Sequence, residues 1–118
     1  MNTFELTKSE KKLARQIIEK GLQIEYKKGL EQQSEIIERW KSGNSDTKDS
    51  YLKLYQSVTS YDKYIAKRYD DMRGSKYLFI IAAQLADGII TLEEIEKFGE
   101  NTKSRLILLS RINEPDKK

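Results

Sequence analysis

The chain has 118 residues with 22 basic and 19 acidic side chains, a net charge of +3, one proline, and neither cysteine nor histidine. That composition excludes disulfides, thiolate nucleophiles, imidazole bases and the soft ligands that zinc, copper or iron prefer, so a bound metal would fall to carboxylates alone. The length suits one domain over residues 1–118, and the mixed charge suits a water-exposed surface without selecting a polyanion as partner.

The opening residues Met1-Asn2-Thr3-Phe4-Glu5 carry no basic flank leading into an apolar run, so no secretory signal is read and a cytoplasmic protein is expected. The first helix is expected from about Lys8 to Lys41. It opens on the capping box Thr7-Lys8-Ser9-Glu10, in which hydroxyl and carboxylate satisfy each other's backbone donors. Leu13, Ile17, Ile18, Leu22, Tyr26, Leu30, Ile37 and Trp40 then recur at three- and four-residue steps until Ser42-Gly43-Asn44-Ser45 breaks the stripe. Gly21 and Gly29, inside this helix, cost about 1 kcal/mol each relative to alanine, and mark either a close approach of another backbone or a local break.

A second helix is expected to start near Asp46 or Thr47 and to end before Gly74, with Tyr51, Leu54, Tyr55, Val58, Ile65, Tyr69 and Met72 along one face. Ser57-Val58-Thr59-Ser60 weakens helical propensity midway and invites a bend. A third helix, about Ser75 to Ala86, is apolar nearly all round and is expected to lie at the heart of the core. Its apolar run is about half the roughly twenty residues that a membrane span needs. Thr91 with Glu94 reads as a second capping box, with Ile90 and Ile95 as the hydrophobic staple and Ile95 and Phe98 facing inward. Gly99 ends that short helix. A last one, from about Asn101 to Ile112, presents Leu106, Ile107, Leu109 and Ile112, and residues 113–118 are read as a frayed tail.

Residues Leu85-Ala86-Asp87-Gly88-Ile89-Ile90-Thr91-Leu92-Glu93-Glu94 resemble a turn found in EF-hand proteins and in tellurite-resistance-type helical bundles. The likeness covers about ten residues. Calcium coordination by such a loop requires oxygen ligands at positions that Ala83 and Leu85 occupy here, and hydrocarbon side chains cannot supply them. The expected role is a helix-to-helix turn, Gly88 ending one helix and Thr91 capping the next, with no metal and no cofactor.

The expected fold is therefore all-α: a single-domain bundle of four to five helices with one long N-terminal helix. At 1.5 Å per residue that helix is roughly 50 Å long, against roughly 35 Å for the diameter of a compact domain of this size. Leu30, Ile36, Ile37 and Trp40 lie in its distal half, and leaving them in water would forgo about 1.5 to 3 kcal/mol per large side chain. Either the second helix runs back along it or another chain covers it. The sequence is accordingly read as a non-enzymatic interaction or regulatory module, forming a homodimer through the long helices and docking a protein partner, without membrane contact.

An alternative reading is nucleic-acid binding through residues 61–77, where tyrosines interleave with Lys63, Lys67, Arg68, Arg73 and Lys76 and could stack on bases beside phosphate contacts. Asp62, Asp70 and Asp71 oppose this, and Tyr61, Ile65 and Tyr69 fit a core stripe equally well.

Overall fold

The computed structural model describes residues 5–112 and is all-α. Four α-helices follow in order, α1 (Lys8–Lys41), α2 (Thr47–Tyr69), α3 (Tyr77–Ala86) and α4 (Glu100–Ile112), with 3-10 turns at Gly74–Lys76 and Leu92–Ile95. The tail expected to fray lies outside the described residues. None of the described helices is long and apolar enough to cross a membrane.

The helix boundaries follow local chemistry. At the start of α1 the Thr7 amide donates to Glu10 Oε1 and the Glu10 amide to Thr7 Oγ1, both at 3.1 Å, closing the expected capping box. The exit of α1 and the exit of α3 are built alike. The amides of Gly43 and Asn44 return to the carbonyls of Trp40 and Arg39, and those of Gly88 and Ile89 to Leu85 and Gln84. Both are Schellman closures, and each needs a left-handed residue at the position where Gly43 (φ +83°) and Gly88 (φ +72°) stand. α2 starts on Asp46, whose carboxylate accepts from the Asp49 amide at 3.0 Å.

Two expectations are corrected. α2 ends at Tyr69, so Met72 lies beyond it; within it, Thr59 Oγ1 bonds back to the Tyr55 carbonyl at 3.0 Å and the helix runs through 57–60 without dividing in two. The segment after Thr91 is a 3-10 turn rather than an α-helix, because few residues separate the Gly88 closure from the start of α4 and i to i+3 bonds need a smaller nucleus. Its role survives: the Thr91 amide donates to Glu94 Oε1, and Ile90, Ile95 and Phe98 are all buried.

The described chain divides into two compact units, one made of the residues up to Leu22 with those from Asp71 onward, the other of Gln23–Asp70. In the first, α3 packs on α4, and Ala14, Ile17, Ile18, Ile80, Ile81 and Leu106 are buried. Gln84 is buried among these apolar side chains and donates its amide to the Ile18 carbonyl at 3.1 Å. α3 is not buried all round: Phe79 is exposed, with the Lys76 ammonium 5.7 Å from its ring centroid. Glu10 ties the start of α1 to the Gly99 amide at 3.1 Å. Burial pushes its carboxyl up, but hydrogen bonds from Thr102, Thr7 and Gly99 outweigh that and hold it below the ordinary carboxylate value.

The second unit is an antiparallel hairpin. Trp40 Nε1 donates to Thr47 Oγ1 at 3.0 Å near the turn, Gln33 Nε2 donates to Ser57 Oγ at 2.9 Å midway, and Glu25 meets Tyr69 at the open end. The second helix thus does run back along the distal half of α1.

Candidate interaction surface

The hairpin carries two features, a polar cluster around a buried carboxylate and an open apolar face. The cluster is centred on Glu25, which is 1% exposed. Its carboxylate accepts from the hydroxyls of Tyr64 and Tyr69, with Arg68 Nη1 3.4 Å from Oε2, while the Tyr61 hydroxyl donates to the Glu25 carbonyl. A carboxylate taken out of water is tolerable only when its lone pairs are met this way. The rings of Tyr61 and Tyr64 stand 5.4 Å apart, and the Arg68 guanidinium lies 5.1 Å from the Tyr64 ring centroid. Burial raises the Tyr61 phenol above its ordinary value, and the Glu25 charge adds to the effect.

Sequence reading missed Glu25, treating the tyrosines of α2 as a core stripe or a stacking platform. A signal was present: Gly29 lies one helical turn from Glu25 on α1 and leaves room beside it for a large side chain. At Gly29 the incoming group is a side chain, neither another backbone nor a break in the helix. A Cβ there would stand 2.6 Å from Tyr61 Cε2.

The open face lies along the groove between α1 and α2. Leu30 is 71% exposed, Ile37 39% and Trp40 43%, and across the groove Tyr51 is 71% exposed, with Tyr55 and Val58 also open to solvent. The distal candidates Ile37 and Trp40 are therefore only partly covered by α2, Leu30 is largely open, and Ile36 is half-buried. The stripe along α1 changes character partway: Ile17 and Ile18 are buried, whereas Tyr26 and Leu30 are not.

Two hollows line this face. One, of about 340 Å³, is walled by Tyr26, Gly29, Leu30 and Gln33 with Val58, Tyr61, Asp62 and Ile65. The other, of about 240 Å³, is walled by Ile36, Ile37 and Trp40 with Thr47, Ser50, Tyr51 and Leu54. Gln33 Oε1 and Ser50 Oγ, both shielded from solvent, have no hydrogen-bond partner among the described residues.

The basic candidates are divided between the units. Lys63 and Lys67 are exposed on α2, but Arg68 turns toward Glu25. Arg73 holds Asp71 through Nε at 2.8 Å and Nη2 at 2.7 Å, pulling the Asp71 carboxyl down to about 2, and Lys76 lies over Phe79. Among the described residues, no group of three or more Asp or Glu side chains could hold a metal ion, at the Gly88 turn or elsewhere.

The chain matches no known protein-family model, no curated protein and no solved structure.

Proposed function

We propose that the chain is a cytoplasmic, non-enzymatic helical interaction module that forms a homodimer through the exposed face of the α1–α2 hairpin. The observation that carries this is the run of Leu30, Ile37 and Trp40 beside Tyr51, Tyr55 and Val58, all open to water on one hairpin. Monomeric soluble proteins rarely leave so contiguous an apolar patch uncovered. The sheltered, unpaired atoms of Gln33 and Ser50 on the same face add to this, since such groups ordinarily find partners. The lack of cysteine suits a reducing compartment.

Sedimentation equilibrium over about three decades of concentration, on the native chain and on Leu30→Glu, tests the proposal. The native chain is expected to sediment as a dimer and Leu30→Glu as a monomer with unchanged helicity. A native chain that stays monomeric at millimolar concentration overturns it.

Nucleic-acid contact is the weaker reading, since it keeps the exposed Lys63 and Lys67 but spends Arg68 and Arg73 on carboxylates. Fluorescence anisotropy of a labelled oligonucleotide at low salt tests it, and a flat titration to tens of micromolar protein disposes of it.

A further inference from the structure

We infer that residues 30–58, the outer part of the α1–α2 hairpin, are a conformational latch that opens and closes on its own while the first unit stays folded, so that binding to the apolar face is coupled to closing of the latch. The latch operates whatever occupies that face, and so stands apart from the self-association proposed above.

The two units differ in what they bury. In the first, Ile18, Ile81, Ile90, Ile95 and Leu106 are each at most 2% exposed. In the second, the buried apolar side chains are Ile65 and Tyr69, and Tyr69 meets Glu25 at the open end of the hairpin. Among the described residues from 30 to 58 no apolar side chain is buried: Ile36 and Leu54 are half-buried, and the buried residue of that stretch is Ser50. Removal of apolar surface from water is the main force that holds helices together, and over this stretch it is small.

Polar links do not make up the difference. Gln33 Nε2 donates to Ser57 Oγ at 2.9 Å and Trp40 Nε1 to Thr47 Oγ1 at 3.0 Å, but such bonds replace bonds to water and gain little net. Among the described residues no ion pair joins α1 to α2 within 30–58. Each helix contributes about a dozen residues to the stretch, a length at which a helix without packing is marginal in water. The open end is held differently. There Tyr61 lies against Gly29, and Tyr64, Tyr69 and Arg68 converge on the Glu25 carboxylate.

Opening is therefore local unfolding of the outer hairpin, with the Glu25 end and the first unit as the firmer parts. The closed form alone sets Leu30, Ile37 and Trp40 beside Tyr51 and Tyr55. Apparent affinity for any occupant falls in proportion to the fraction closed, and an occupant orders the segment that it covers.

Hydrogen exchange of the full chain, read by mass spectrometry, tests the latch. In Leu30→Glu at monomer mass, amides within 30–58 are expected to be at least about tenfold less protected than those of α3, with those of 61–69 in between. In the native chain protection at 30–58 is expected to rise with concentration, while that of α3 stays constant. Tyr69→Phe is expected to lower protection at 61–69 and to leave α3 unchanged. Equal protection of 30–58 and α3 in Leu30→Glu at monomer mass overturns the latch. So does a Tyr69→Phe effect as large in α3 as at 61–69, which would make the chain one cooperative unit. Low protection at 30–58 in a native chain that stays monomeric at millimolar concentration upholds the latch and removes the dimer.

Discussion

The ring of Tyr61 lies against Gly29, close enough that a methyl group on that glycine would stand 2.6 Å from Cε2 and 2.7 Å from Cδ2. The ring has little room to yield, because its hydroxyl is bound to the Glu25 carbonyl one turn away. Gly29→Ala gains helix propensity of up to about 1 kcal/mol. Overpacking of this kind costs about 1–3 kcal/mol, and the cost is expected to win. Urea unfolding of Gly29→Ala should show a lowered midpoint, and Gly29→Ala with Tyr61→Ala should cost less than the two single changes added together. Additive losses would show that the contact is unimportant.

The Glu25 cluster makes a graded prediction. Tyr69→Phe removes one donor from a buried carboxylate and is expected to cost about 1–3 kcal/mol. Arg68→Met removes the cation facing the same carboxylate and is expected to cost more, toward the roughly 3–5 kcal/mol seen when one partner of a buried pair is lost. Chemical denaturation of both variants, monitored by circular dichroism, checks the order.

Stability should fall in acid partly through Glu10. Its folded carboxyl lies below the unfolded value, so folding releases a proton when the two states straddle the pH. The contribution is complete above the ordinary glutamate value of about 4.3 and is lost as pH drops through the lower folded value. Thermal melts from neutral pH to about pH 3 should show a smaller acid-induced fall for Glu10→Gln than for the native chain.

Association through an apolar face should scarcely respond to salt. Raising ionic strength from about 0.05 to 0.5 M shortens the screening length several-fold but leaves apolar burial unweakened, so the dimer constant is expected to change little. Iodide quenching of Trp40 should weaken as the dimer forms, because the indole is 43% exposed in the single chain. A dimer that dissociates steeply with salt would point to a charged interface instead.

The starts of α1 and α2 and the exits of α1 and α3 were legible in the residues themselves. Thr7 with Glu10, Asp46, and the glycines at 43 and 88 act over three to six positions of chain, and their effect does not depend on what packs above them. The periodic stripe of α1 was equally plain, and so was the all-α class. Tertiary structure decided which part of that stripe is covered: Ile18 and Leu30 are alike to any hydrophobicity scale, yet one is buried and the other is 71% exposed. It also turned Glu25 inward, because a carboxylate enters a core only where tyrosines and an arginine from a helix some forty residues away converge on it. Capping and periodicity are local energies that neighbouring residues supply, whereas burial and the pairing of charge depend on which distant side chains the fold brings within hydrogen-bonding reach.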